Sequence, residues 1–157
     1  SAYVRSETGN TLRKLPPSTH EKFGRYYSGG GGLAGTADDY LRFCEMLLNK
    51  GSYRGSRLVS RKTIALMTAN QIGDIPVWND TLGGYRFGLG FRVLTDLGKS
   101  PTLGSTGSYG WGGAYGTYFW VDPKEDMVGL LLFQLMPYAH LNIRFDFQNA
   151  VTQAIID

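Results

Sequence analysis

The residues of this chain best suited to chemistry form one run, Tyr109-Gly110-Trp111-Gly112-Gly113-Ala114-Tyr115-Gly116. Gly112 and Gly113 lack a Cβ, so another molecule can approach their backbone closely. A bare strand edge beside them offers unpaired N–H and C=O groups, which is a way to grip a substrate carbonyl. The same glycines also fit a tight turn or a β-bulge that does no chemistry.

Other reactive groups are sparse. His20 and His140 have no metal-ligating residue at helical spacing, and Cys44 has no second cysteine to pair with. That pattern points to no protein-built zinc site and no internal disulfide. Cys44 sits in an apolar helical stripe, where a small buried hydrophobe is the expected role. A Gly-x-Ser-x-Gly elbow is absent, and the hydroxyl-rich stretch Gly104-Ser105-Thr106-Gly107-Ser108 reads as a turn. The glycine run Gly29–Gly32 and the tripeptide Gly98-Lys99-Ser100 lack the spacing of a phosphate-binding loop. Asp122, Glu125 and Asp126 belong to a turn, where a solvated role is expected.

The elements that must position these residues follow from periodicity and punctuation. Residues 1–28 show little periodicity, are broken by Pro16-Pro17 and are expected to be an extended lead-in. Thr36 is placed to cap a helix, with Asp38 and Asp39 in its first turn. Tyr40, Phe43, Cys44, Leu47 and Leu48 share one face of that helix, and Gly51 stops it. Ser60 caps a second helix, with Val59 stapled on Ile64, running to about Asn70. Tyr85–Leu94 alternates as a strand. Ala114–Val121 alternates as another and ends in the turn Asp122-Pro123. Met127–Leu135 is apolar throughout, which predicts a central strand covered on both faces. Ile143, Phe147, Ala150, Val151, Ala154 and Ile155 mark a C-terminal amphipathic helix. The expected fold class is α+β, part of an α/β sandwich. Two helices precede an antiparallel sheet of three to four strands, and the last helix lies across it.

Composition narrows the function classes. The 157 residues are 42% hydrophobic and 18% charged, which suits one globular domain with a single core. The net charge of +3 is spread without basic runs, so nucleic acid is not an expected partner. No stretch approaches a membrane span. The chain opens on Ser1 with no initiator Met and no signal-peptide pattern, so a fragment or processed product is expected, and the compartment stays open between cytoplasm and periplasm.

Several segments carry a resemblance in order and spacing over about four-fifths of the chain. Gly29–Leu33, Thr36-x-x-Asp39-Tyr40-x-x-Phe43, Met46–Asn49, Trp111-Gly112-Gly113-Ala114, Phe119–Pro123 and the strand ending near Gln134 resemble the C-terminal part of class C β-lactamase-like serine hydrolases. Trp-Gly-Gly is similar to the third motif of that superfamily's esterases, where β-lactamases and DD-peptidases more often carry Lys-Thr-Gly or His-Thr-Gly. The resemblance implies an acyl-enzyme mechanism on a carboxylic ester or a β-lactam, without a cofactor. It makes residues 29–157 the C-terminal part of one domain. By residue match, the Ala114 N–H would be half of an oxyanion hole, and Trp111, Gly112, Gly113, Tyr109 and Tyr115 would face the substrate.

The departures from the family are as informative. No lysine has a serine three residues before it, and no asparagine has a tyrosine or serine two residues before it. Ser-x-x-Lys and Tyr-x-Asn are therefore missing, and this chain alone is not expected to catalyse acyl transfer. A companion N-terminal segment, or self-association of an incomplete sheet, is the expected partner. Two other readings stay open: a non-catalytic module that binds peptidoglycan or an acyl ligand through the same wall, and a bare structural fragment.

Overall fold

The computed structural model describes residues 2–6, 11–16, 29–77 and 83–156. His20, and Trp78, which from sequence could line an acyl pocket, lie outside the described residues. The helix expected after Thr36 forms as α1, Ala37–Leu48. Its capping box closes in both directions: Asp39 N–H donates to Thr36 Oγ1 (3.2 Å), and Thr36 N–H donates to Asp39 Oδ2 (3.2 Å). Gly51 follows with φ +94°, where an added Cβ would overlap the Val59 carbonyl, so the stop requires glycine. The second helix, α2 (Arg61–Met67), is capped by Ser60 and is shorter than expected, ending at Thr68.

The strands of the main sheet are β5 (Tyr85–Phe87), β6 (Arg92–Leu94), β7 (Tyr109–Gly112), β8 (Tyr118–Asp122) and β9 (Met127–Leu131), in that spatial order and all antiparallel. The architecture is α+β, as expected, with five strands rather than three to four. The extra strand comes from Tyr85–Leu94, which is a hairpin and not one strand. Gly88 and Gly90 make its turn: Gly90 has φ +93°, and a Cβ on Gly88 would strike the Met67 carbonyl. The lead-in contributes β1 (Tyr3–Arg5) and β2 (Leu12–Lys14), which form a small second sheet with β10 (Leu135–Met136). β3 (Ser52–Tyr53) and β4 (Ser56–Arg57) make a short hairpin between the first two helices.

The core alternates along β8. Phe119 and Val121 join Cys44, Leu47 and Ile64 in a buried cluster, with the Tyr40 ring 5.1 Å edge-on to Phe119. That face is covered by α1 and α2. Trp120 turns the other way and meets Phe147 of α3 (Ile143–Gln153) at 5.8 Å. The helices therefore cover both faces of the sheet. β8 is buried along its whole length, whereas β9 is mostly half-buried and sits at the sheet edge with no strand beyond it among the described residues. Among the described residues the run Met127–Leu135 therefore supplies the last strand of the sheet and not a central one. Its apolar composition matches its cover, because α1 and α3 both contact it.

The last helix is held by polar groups more than by the apolar stripe the sequence predicts. Ile143, and Ile155 just past the helix end, are more than a third exposed, while Gln148 is 1% exposed. Gln148 accepts from the Tyr118 hydroxyl (2.7 Å) and donates to Leu103 O (3.2 Å); Asn149 accepts from Leu103 N–H (2.7 Å). Asp122 is likewise buried at 1%, not solvated, because its carboxylate accepts from Ser105 N–H (2.9 Å) and Lys124 N–H (3.1 Å). Two backbone donors offset the cost of burying that charge. Among the described residues, no helix is long and apolar enough to cross a membrane.

Candidate active site

The candidate site is built where β7 runs out. Cross-strand pairing with β8 continues through Trp111↔Phe119 and Gly112↔Tyr118 and then stops. Gly113 N–H donates to Thr117 O (2.8 Å) and Gly116 N–H to Gly113 O (3.1 Å), closing a tight turn over residues 113–117. Gly116 has φ +99°, and a Cβ there would collide with the Phe133 ring. Only glycine satisfies both demands, so the sequence fixes this turn tightly.

Ala114 sits at the crown of the turn and is exposed. Among the described residues its N–H donates to no acceptor. An unpaired, solvent-facing main-chain donor at the end of a buried sheet is the kind of group that binds a developing oxyanion. Trp111 is 41% exposed, with the Phe87 ring set edge-on at 5.0 Å. It presents an aromatic surface, not a cation, on the α1-facing side of β7. Tyr115 is half-buried and its carbonyl accepts from Leu135 N–H (2.9 Å), tying the turn to β10.

The two glycines act differently from the sequence expectation. The space a Cβ would take at Gly112 holds the Arg144 guanidinium, about 2.7 Å away, and at Gly113 it holds the Thr117 hydroxyl. The close approach is made by this chain's own side chains. Tyr109, grouped with these residues from the sequence, is 3% exposed and belongs to the core, 5.3 Å from the Phe91 ring. Strand alternation accounts for this: two residues before Trp111 on the same face, it lies under α1. Burial raises its hydroxyl pKa, and among the described residues that hydroxyl has no hydrogen-bond partner. The structure therefore brings together Trp111, Gly112, Gly113, Ala114 and Tyr115 but not Tyr109.

Sequence reasoning missed Arg144. Its Nε donates to Gly116 O (2.9 Å), and one Nη donates to both Gly113 O (2.5 Å) and Thr117 O (2.8 Å). Tyr138 lies under the guanidinium at 4.2 Å. Desolvation pulls the Arg144 pKa below the usual guanidinium value. The available signal was the i, i+4 spacing of Arg144 and Gln148, which places two polar side chains on one face of α3. A second cation, Arg92, stacks on Tyr85 at 4.0 Å and donates to the Tyr118 hydroxyl (3.2 Å). Burial pushes Tyr118 up to about 12, against the lowering effect of Arg92. Among the described residues no three His, Cys, Asp or Glu side chains converge as a metal site.

Residues 2–151 match the Beta-lactamase family. Protein Rv1367c of Mycobacterium tuberculosis is 41% identical over 120 residues, 71% of this chain and 30% of that protein. Esterase EstB of Burkholderia gladioli is 33% identical over 125 residues, 79% of this chain and 30% of the esterase. Among solved structures, EstCE1, a hydrolase with promiscuous acyltransferase activity, superposes with a TM-score of 0.74 at 26% identity, covering 96% of this chain and 42% of that one. The chain thus spans about a third of the length of the curated relatives it matches.

Proposed function

We propose, from the premise that this chain belongs to the β-lactamase family, that it contributes one wall of a serine hydrolase active site acting on carboxylic esters. The family is one of β-lactamase-fold hydrolases, and its members similar to this chain include an esterase and a hydrolase with acyltransferase activity. The observation that carries the reading is exposed Ala114, just past the end of β7, whose N–H has no acceptor among the described residues. In the proposed mechanism, a serine activated by a lysine attacks the acyl carbonyl. The carbonyl oxygen takes on negative charge and is held by two main-chain amides, one of them Ala114. Water then releases the acyl group.

The serine and lysine come from a segment not contained in these 157 residues, since no Ser-x-x-Lys occurs in them. The edge of β9, unpaired among the described residues, supports this, because it is where further strands of the same sheet would add. In this reading residues 29–157 form the C-terminal part of the domain and residues 1–28 lead into it. Trp111, standing where a cation is more usual, favours an uncharged ester over a carboxylate-bearing β-lactam.

The test is turnover of a p-nitrophenyl ester and of a cephalosporin by the full-length protein, wild type and Trp111→Lys. Wild type is expected to hydrolyse the ester and to lose that activity to a serine-directed phosphonate. Trp111→Lys is expected to lose ester turnover and gain cephalosporin binding or turnover. This stretch expressed alone is expected to lack the nucleophile's contribution, on the order of a millionfold. Unchanged ester hydrolysis with no β-lactam binding in Trp111→Lys sinks the role given to Trp111. A wild-type protein inert to both substrates sinks the hydrolase itself.

A further inference from the structure

We infer that Arg144 is a positioning residue for the oxyanion donor, an assignment that rests on the function proposed above. The argument starts from one peptide plane. Gly113 C=O and Ala114 N–H belong to the same planar unit and, in the trans form, point in opposite directions. The C=O end accepts from Arg144 Nη2 at 2.5 Å. The N–H end belongs to exposed Ala114 and donates to nothing among the described residues. Fixing one end of a rigid plane fixes the direction of the other.

The guanidinium does more than hold one carbonyl. It also receives the lone pairs of Gly116 O and Thr117 O, so the first and last residues of the turn and the glycine before the last are gathered on one rigid fork. No acidic side chain is paired with it among the described salt bridges, so its charge is committed to carbonyl groups. A charged donor on a carbonyl polarises the whole amide and makes its N–H a better donor at the far end. The glycine at position 112 is the opening that lets the fork reach the turn. Tyr138, stacked beneath the guanidinium, holds its plane. The side chain thus reaches from α3, across the sheet edge, to the back of the donor that the substrate would meet at the front.

The inference gives Gly112 a reason and separates Arg144 from a plain structural anchor. An anchor would affect stability and substrate binding alike. A positioning residue acts on the state in which the carbonyl oxygen is charged. The experiment uses the full-length protein, with Arg144→Lys and Arg144→Ala compared with wild type. Ester kcat and KM are measured together with the affinity of a phosphonate whose tetrahedral oxygen mimics the oxyanion. Arg144→Ala is expected to lose roughly tenfold to a hundredfold in kcat, less than the roughly hundredfold to thousandfold of losing an oxyanion donor outright because the Ala114 N–H itself remains, with KM little changed. Phosphonate affinity should fall by the same factor, and added methylguanidine should restore part of the rate. Arg144→Lys, which cannot fork across three carbonyls, should fall between the two.

Arg144→Lys supplies the readout if Arg144→Ala does not fold. A wild-type kcat in Arg144→Lys overturns the assignment, as does a rate loss that leaves phosphonate affinity unchanged. If the wild-type protein hydrolyses no ester, the hydrolase proposal fails first and this inference with it. If wild type is active and the variants match it, only the role of Arg144 fails.

Discussion

Gly129→Ala tests the packing of the α3-facing side of the sheet. Gly129 pairs directly with Trp120 across β8 and β9, and a Cβ built on it would overlap three atoms of the six-membered ring of Trp120. The indole cannot move aside easily: it is 2% exposed, stacked on Tyr118 at 5.7 Å and edge-on to Phe147 at 5.8 Å. Two effects oppose each other. Replacing glycine with alanine in a strand gains about 0.5–1 kcal/mol from reduced backbone entropy. Forcing a methyl into a filled core costs typically 1–3 kcal/mol, and overlap with a wedged ring belongs at the upper end. The net expectation is a loss of about 2 kcal/mol, read by urea unfolding with tryptophan fluorescence and near-ultraviolet dichroism. The control is the same substitution in a Trp120→Leu background. There the obstacle is gone, so alanine should be neutral or mildly stabilising, giving a coupling of about 2 kcal/mol between the positions. Wild-type stability in Gly129→Ala, with the Trp120 signal unmoved, would refute the placement of the ring over Gly129.

Two further outcomes follow from ionisable groups. Thr36→Ala should lose about 1 kcal/mol by opening the α1 capping box. The Asp39 carboxyl, held below its ordinary 3.8 first by the Thr36 hydroxyl and then by the Thr36 backbone N–H, contributes stability that is present above the unfolded pKa and is lost as pH falls through the lower folded value. Urea midpoints between pH 2 and pH 6, in the range where carboxylates titrate, should therefore show a shallower acid limb in Thr36→Ala. At the alkaline end, burial raises Cys44 from 9.0 to about 12 and Tyr118 from 10.0 to about 12, and raises Tyr109 as well. Stability from these groups is complete below their unfolded values and declines as pH climbs through the folded ones. Tyr109→Phe should leave neutral-pH stability unchanged or up by about 1 kcal/mol, since its hydroxyl has no partner among the described residues, and should flatten the alkaline decline.

What the sequence discloses depends on how local the governing contact is. The start of α1 was legible because Thr36 and Asp39 satisfy each other within one turn. The 122–126 turn was legible because proline fixes its own φ. The 85–94 hairpin was not, since alternation runs through Gly88–Leu89–Gly90 and the deciding partner is a carbonyl at the end of α2: Leu89 N–H donates to Met67 O at 2.8 Å. The apolar run of β9 reports the cover on both faces that α1 and α3 supply, and not the strand's place in the order, which is terminal among the described residues. The candidate site divides in the same way. Trp111 to Ala114 stood out through two adjacent glycines. Arg144 is about thirty positions from the carbonyls it serves, a distance at which spacing carries no signal. Tyr109 and Asp122 were misplaced because a side chain's neighbours on the far face of a sheet leave no mark in the residues beside it.

A donor that belongs to the main chain has no genetic address of its own. At Ala114 nearly every codon preserves the exposed N–H, and proline alone deletes it. On the proposed function, a saturation scan of ester turnover is expected to show a quiet centre ringed by intolerant neighbours at 112, 113, 116 and 144. The blank spot, read together with its rim and its one lethal imino acid, would be the signature of the site.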